Sequence, residues 1–349
     1  MRTGLNERTL SPYAGFMIFA LVAVIGFAYV KWAPYYAKAF VAQSHHAIGD
    51  SILSGKSSAV PTASWSAAVD YAMAYGKAIW QALVLGLVLG SGIKVLLPSQ
   101  WLGRVLGRIG LRSVALGGMF AIPCMMCTCC AAPVAAGMRQ SRASVGSVVS
   151  WWMANPVLNP ATLVFMGFVL GWGWTFFRIV FGIAMVLGVA YLAERYAEAG
   201  ERAAVEHDVV PEVDSAHGGL LARWLREFVT LAIRLLPEYL VLVLLLGAAR
   251  AWLFPVLDAP DSIGWIIAMA LAGTLFVIPT AGEVPIVQAM FALGMGAGPA
   301  AALIMTLPAV SLPSLAMLGR VFNLRTRLVI AAGVALTGIV AGLVATIVF

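Results

Sequence analysis

The 349-residue sequence predicts an all-α fold. The expected architecture is a polytopic transmembrane helical protein of about 8–10 spans. It is arranged as two inverted-topology repeats with broken or re-entrant helices. Three observations carry this. The chain is 62% hydrophobic and only 11% charged, with a mean hydropathy of +0.94. Soluble domains carry roughly 25% charged residues, and so few charges cannot cover a surface in water. Several apolar runs reach the ~20 residues that cross a bilayer. A shift of 152 residues carries Pro156 onto Pro308. The same shift carries Thr128, Pro133, Met138, Gly146 and Met153 onto identical residues, the mark of an internal repeat.

The scarcity of charge also excludes functions. Nucleic-acid binding and disorder both need many more charges. No Asp or Glu occurs between Asp70 and Glu194, and the four histidines (His45, His46, His207, His217) lie outside the apolar segments. A carboxylate pair, a Ser-His-Asp triad or a histidine metal cage has no side chains to draw on there. A Walker-type phosphate loop is absent. The chain reads as a non-enzyme that needs no cofactor.

Residues 1–33 read as a first transmembrane helix. The run between Arg8 and Lys31 is uncharged and longer than the 7–15 residues of a signal-peptide core, so it is expected to be retained. Trp32, Tyr35 and Tyr36 would sit at the interface. Residues 34–74 read as an extracytoplasmic loop. The first repeat, 75–196, opens with a span to Leu97. Next comes an amphipathic surface helix over Pro98–Arg112, with Arg104, Arg108 and Arg112 on one face. An interrupted apolar stretch and a span from Trp174 to Tyr196 complete it. Residues 197–225 form an acidic cytoplasmic linker. The second repeat, 226–349, follows the same plan.

Arginine placement sets the expected orientation. Arg2 and Arg8 put the N-terminus in the cytoplasm, together with the Arg104–Arg112 and Arg320–Arg327 regions, and leave the Asp258/Asp261 loop outside. The two repeats then enter from opposite sides, as in secondary transporters.

Three motifs carry chemistry. All four cysteines, Cys124, Cys127, Cys129 and Cys130, fall within seven residues. Their sulfurs suit soft metals and trivalent metalloids: in a helix Cys124, Cys127 and Cys130 would share one face, and in a segment unwound after Pro123 Cys127 and Cys129 would form the pair. Small buried hydrophobes are the alternative reading. In Asn155-Pro156-Val157-Leu158-Asn159-Pro160, the prolines break a helix and the asparagines bring polar groups to the break. That suits a substrate-lined cavity, or a kink with an asparagine cap. Pro133, Pro285 and Pro308 mark further breaks. Glu283, in Thr280-Ala281-Gly282-Glu283, is an intramembrane acid suited to proton or cation coupling. It could equally complete a capping box with Thr280. Ser311 and Pro313 echo Asn159 and Pro160 one residue out of step. Glu238 is a weaker candidate, and Arg139 and Arg142 read as a solvated hairpin tip.

At Cys127–Gly137, Asn155–Pro160 and Gly282–Ile286 the sequence resembles the YraQ/ArsP-like predicted permease family, over about residues 75–348. The resemblance implies a multi-pass permease of the bacterial inner membrane. It also implies efflux of trivalent organoarsenicals or arsenite, with Cys127 and Cys129 carrying the role. The expected partners are the lipid bilayer and a small soft metal or metalloid solute, not nucleic acid. A homo-oligomer is compatible with this. Rival readings are a permease for another solute with structural cysteines, and a transmembrane thiol oxidoreductase. The second would want a cysteine in each repeat, and 280 onward has none.

Overall fold

The computed structural model describes residues 12–54, 60–197, 219–255 and 258–349. Arg2, Arg8 and most of the acidic linker, with His207 and His217, lie outside the described residues. The described chain is a helical bundle with these elements: α1 Pro12–Phe27, a π-helical turn Ala28–Trp32, α2 Ala33–His45, α3 Trp65–Leu96, α4 Ser99–Leu106, α5 Leu111–Ala121, α6 Thr128–Gln140, α7 Val145–Val157, α8 Pro160–Val169, α9 Trp172–Tyr196, α10 Leu220–Leu253, α11 Ile263–Leu275, α12 Glu283–Ala292, α13 Ala297–Ala309, α14 Leu312–Met317 and α15 Leu324–Val348.

Six helical stretches among the described residues are long and apolar enough to cross a membrane, or seven if the bent α4–α5 pair counts as one. The polytopic helical class expected from the sequence is present, with six or seven such stretches beside the 8–10 spans expected. Between the breaks α6, α7, α8, α11 and α12 are only 10–13 residues long. At 1.5 Å per residue these reach about 20 Å at most, short of the ~30 Å hydrocarbon core.

The first helix does not stop at Lys31. It continues through the π turn to His45, so much of the expected 34–74 loop is helix, and α3 begins at Trp65. Pro34 explains the π turn. Its missing N–H and its ring forbid the ordinary bond to Val30, and the ladder widens so that Ala33 N–H donates to Ala28 O. The expected surface helix is also shorter. It ends at Leu106, the chain turns by 114°, and Gly110 takes φ +139°, a conformation that glycine adopts without strain.

The repeat is visible in the helix plan. An offset of 152 carries the first residues of α5, α7, α8 and α9 onto those of α11, α13, α14 and α15. Asn159, the N-cap of α8, falls on Ser311, the N-cap of α14. Ser311 is in register with Asn159, and the one-residue slip is confined to the proline: Pro313 occupies the helical position after that of Pro160. Even the buried helix starts match. Glu194 accepts from Gly146 N–H at the start of α7, and Asp261 accepts from Gly298 N–H (2.7 Å) at the start of α13. A carboxylate there satisfies an orphan donor and the helix dipole together.

Nearly every residue of α7 and α13 is buried, and the outer helices carry large exposed apolar side chains such as Phe176, Leu240, Leu245 and Leu336. Lipid is the natural environment for such a surface. The cysteine-bearing α6 is pressed against α3 through Gly86 and Gly90. A Cβ at Gly86 would collide with the Cys130 carbonyl, and one at Gly90 with that of Pro133. Small residues four apart permit this backbone approach.

Candidate functional site

Four helix breaks meet at the centre: Met125–Cys127 before α6, Leu158–Asn159 before α8, Phe276–Gly282 before α12, and Val310–Ser311 before α14. Cys127, Thr128, Pro156, Ile278, Pro279, Thr280, Glu283, Leu307 and Pro308 line a narrow cavity there. Its volume is about 10 Å³, room for about one water molecule. Any larger solute requires the walls to part.

The cysteines divide by the local fold. Cys127 is the N-cap of α6, its sulfur accepting from Cys130 N–H. One helical turn brings Cys130 Sγ to 2.7 Å from Cys127 Sγ. Cys129 points elsewhere, with Sγ 3.7 Å from Ser311 Oγ in the other half. Cys124 donates to Phe120 O. The structure thus brings together Cys127 and Cys130 rather than Cys127 and Cys129. Among the described residues, no group of three or more His, Cys, Asp or Glu side chains is arranged to hold a metal ion.

The asparagines work on the backbone. Asn155 Oδ1 accepts from Met126 N–H and its amide donates to Trp151 O, which pins the unwound segment before Cys127. Met125 there holds φ +51°, a strained conformation typical of functional breaks. Trp152 donates to Thr128 O (2.8 Å) and fixes the start of α6. Asn159 Oδ1 accepts from Ala161 and Thr162 N–H, so the capping reading holds for it. Its buried amide nitrogen has no hydrogen-bond partner.

Glu283 is the first residue of α12 and is 1% exposed. The expected capping box is not formed: Gly282 is the cap, with no side-chain bond. Glu283 Oε1 instead lies 2.7 Å from Arg178 Nη1, both side chains being buried. The pair is close but its N–H is not aimed along a hydrogen bond, and Glu283 Oε2 has no partner. Arg178, on α9, also donates to Pro156 O (2.8 Å) and Val157 O (3.0 Å). Pro160 has no N–H to offer Pro156 O, and Ala161 N–H is engaged by Asn159. Arg178 therefore satisfies the carbonyls that the break frees.

Sequence reasoning missed Arg178, although a lone cation in the apolar 172–192 run is as costly as the lone Glu283. It also missed Lys31, read as the edge of the first span. Lys31 is 4% exposed and donates to Thr280 Oγ1 (3.1 Å) and Tyr35 OH (3.2 Å). Trp32, expected at the interface, donates to Pro123 O beside the cysteines. Of the weaker candidates, Glu238 is half exposed and pairs with Arg320. Arg139 is buried and donates to Ala143 O, so it is not a solvated tip.

Comparisons with known proteins agree with this architecture. A family profile described as "Predicted permease" matches residues 12–155 and 79–347. The UPF0718 protein YraQ of Escherichia coli (strain K12) is 52% identical over 327 residues, covering 93% of this chain and 93% of that protein. The UPF0718 protein MJ0584 of Methanocaldococcus jannaschii is 21% identical over 313 residues, covering 69% and 84%. No solved structure matches the chain. A helical bundle with membrane-length apolar helices, and a profile and a relative that each cover most of it, place this chain in the predicted permease family.

Proposed function

We propose that this permease is a secondary transporter of the bacterial inner membrane, with a cytoplasmic N-terminus. It exports a soft, thiophilic solute such as a trivalent organoarsenical or a soft metal ion. The observation that carries this reading is the Cys127–Cys130 sulfur pair, with Cys127 lining a narrow cavity bounded by residues from both halves. Two sulfurs so close can chelate a trivalent arsenic. An arsenoxide R–As=O forms two As–S bonds, and its oxygen leaves as water with the two thiol protons. The cavity has room for about one water molecule, so passage of a solute requires the halves to part, in keeping with alternating access around a central site. Glu283 couples the proton. Its neutralisation releases Arg178 and loosens the join between halves.

Uptake of phenylarsine oxide into everted vesicles tests this. Cys127→Ser and Cys130→Ser are each expected to lower uptake at least tenfold at equal protein level. Unchanged uptake removes the sulfurs from the ligand role. Glu283→Gln is expected to keep uptake but lose its acceleration by an imposed pH gradient. A retained response to the gradient excludes Glu283 as the coupling group.

One observation favours a second reading. Cys127 and Cys130 form a C-x-x-C pair at a helix N-terminus, the arrangement of thiol–disulfide exchange. The second half offers no cysteine to receive electrons, which weighs against it. A mixed disulfide trapped between a Cys130→Ser variant and thioredoxin would favour this reading over transport of a thiophilic solute.

A further inference from the structure

The surroundings of the sulfurs are unusually positive for a site that would receive a metal cation. Among the described residues the buried cations are Lys31, Arg139, Arg178 and Arg250, and the buried acids are only Glu194 and Glu283. Glu283 is taken by Arg178, and Glu194 caps α7. Lys31 approaches from the other side of the cavity wall. Its ammonium meets only neutral oxygens, those of Thr280 and Tyr35. It also lies over the Tyr35 ring at 5.2 Å. No carboxylate among the described residues stands within ion-pair distance of it. Thr280 itself lines the cavity beside Cys127, so the Lys31 ammonium is one hydrogen bond from the cavity wall.

The Cys129 side carries a further buried cation, Arg250, which Asp70 partly offsets. Arg250 lies 5.5 Å over the Tyr71 ring, Tyr71 stacks on Tyr75, and Tyr75 adjoins Tyr239. The Tyr75 and Tyr239 side chains are buried on the Cys129 side of the sulfur cluster. A buried ammonium with no carboxylate beside it is costly unless a negative charge arrives. A cationic solute would add to the surplus charge, whereas an anionic one would neutralise it.

We propose that the solute carries a negative charge: the Cys127–Cys130 pair takes its soft centre, and Lys31 binds an anionic group on the same molecule. This rests on the thiophilic reading above and narrows it to soft solutes with an anionic arm, in preference to bare soft cations.

The test uses the purified full-length protein and two trivalent arsenicals that differ only in charge. These are phenylarsine oxide and its 4-carboxylate derivative, with binding followed by tryptophan fluorescence. The readout is the ratio of their affinities. The wild type is expected to prefer the carboxylate about tenfold, Lys31→Met to bring the ratio to about one, and Lys31→Arg to keep it. A wild-type ratio near one overturns the proposal whether or not the variants fold. A preference unaltered by Lys31→Met overturns it too. So does displacement of the neutral probe by benzoate alone, which would make Lys31 a site for free anions. Failure of both arsenicals to bind the wild type is a distinct outcome, and sinks the thiophilic reading itself.

Discussion

Arg178→Met is expected to destabilise the protein by about 3–5 kcal/mol, the usual cost of removing one partner from a buried ion pair. Three losses coincide. Glu283 is left as an unpaired buried carboxylate, and the carbonyls of Pro156 and Val157 lose their donors. Glu283→Gln leaves Arg178 its two carbonyl bonds and is expected to cost less. The double variant Arg178→Met/Glu283→Gln should be less unstable than the sum of the singles, because neither charge is then orphaned. Thermal unfolding of purified protein in detergent measures all three. Additive losses, or an Arg178→Met variant as stable as the wild type, would show that the ion pair does not join the two halves.

Gly86→Leu is expected to be the most damaging single change on α3. The added side chain meets the Cys130 carbonyl, which is backbone inside a helix and cannot swing aside. Overpacking of this kind costs about 3 kcal/mol or more. Relief requires α6 to move away from α3, which carries Cys127 and Cys130 with it. Loss of thermal stability should therefore accompany loss of phenylarsine oxide uptake. Gly76→Leu on the same helix is the control, since nothing lies within 4 Å of a Cβ there. Equal behaviour of the two variants would contradict the close α3–α6 approach.

Much of this was legible in the residues. Low charge and membrane-length apolar runs identified a helical membrane protein, and the Pro156/Pro308 register located the repeat that reappears in the helix starts. The cysteine cluster, the Asn-Pro break and Glu283 were singled out because each is expensive or unusual in an apolar segment. These signals are local, being matters of composition, spacing and residue type.

The errors share one cause. Lys31 was read as a helix end because a cation ordinarily marks the membrane edge. That Lys31 faces inward, toward Thr280 249 residues away, depends on packing. Thr280 and Glu283 have the spacing of a capping box, but Lys31 and Arg178 claim them first. Arg178 was passed over because its partners are distant in sequence.

The sequence by itself determined the solvent, the helical class, the repeat and the list of reactive groups, because each follows from local composition and periodicity. Only the tertiary structure decided which of those groups meet. It paired Cys127 with Cys130, turned Cys129 toward Ser311, and set two cations against the cavity. The physical reason is that a buried charge or sulfur takes its partner from whatever the packed helices bring within a few ångströms, and that is a property of the fold.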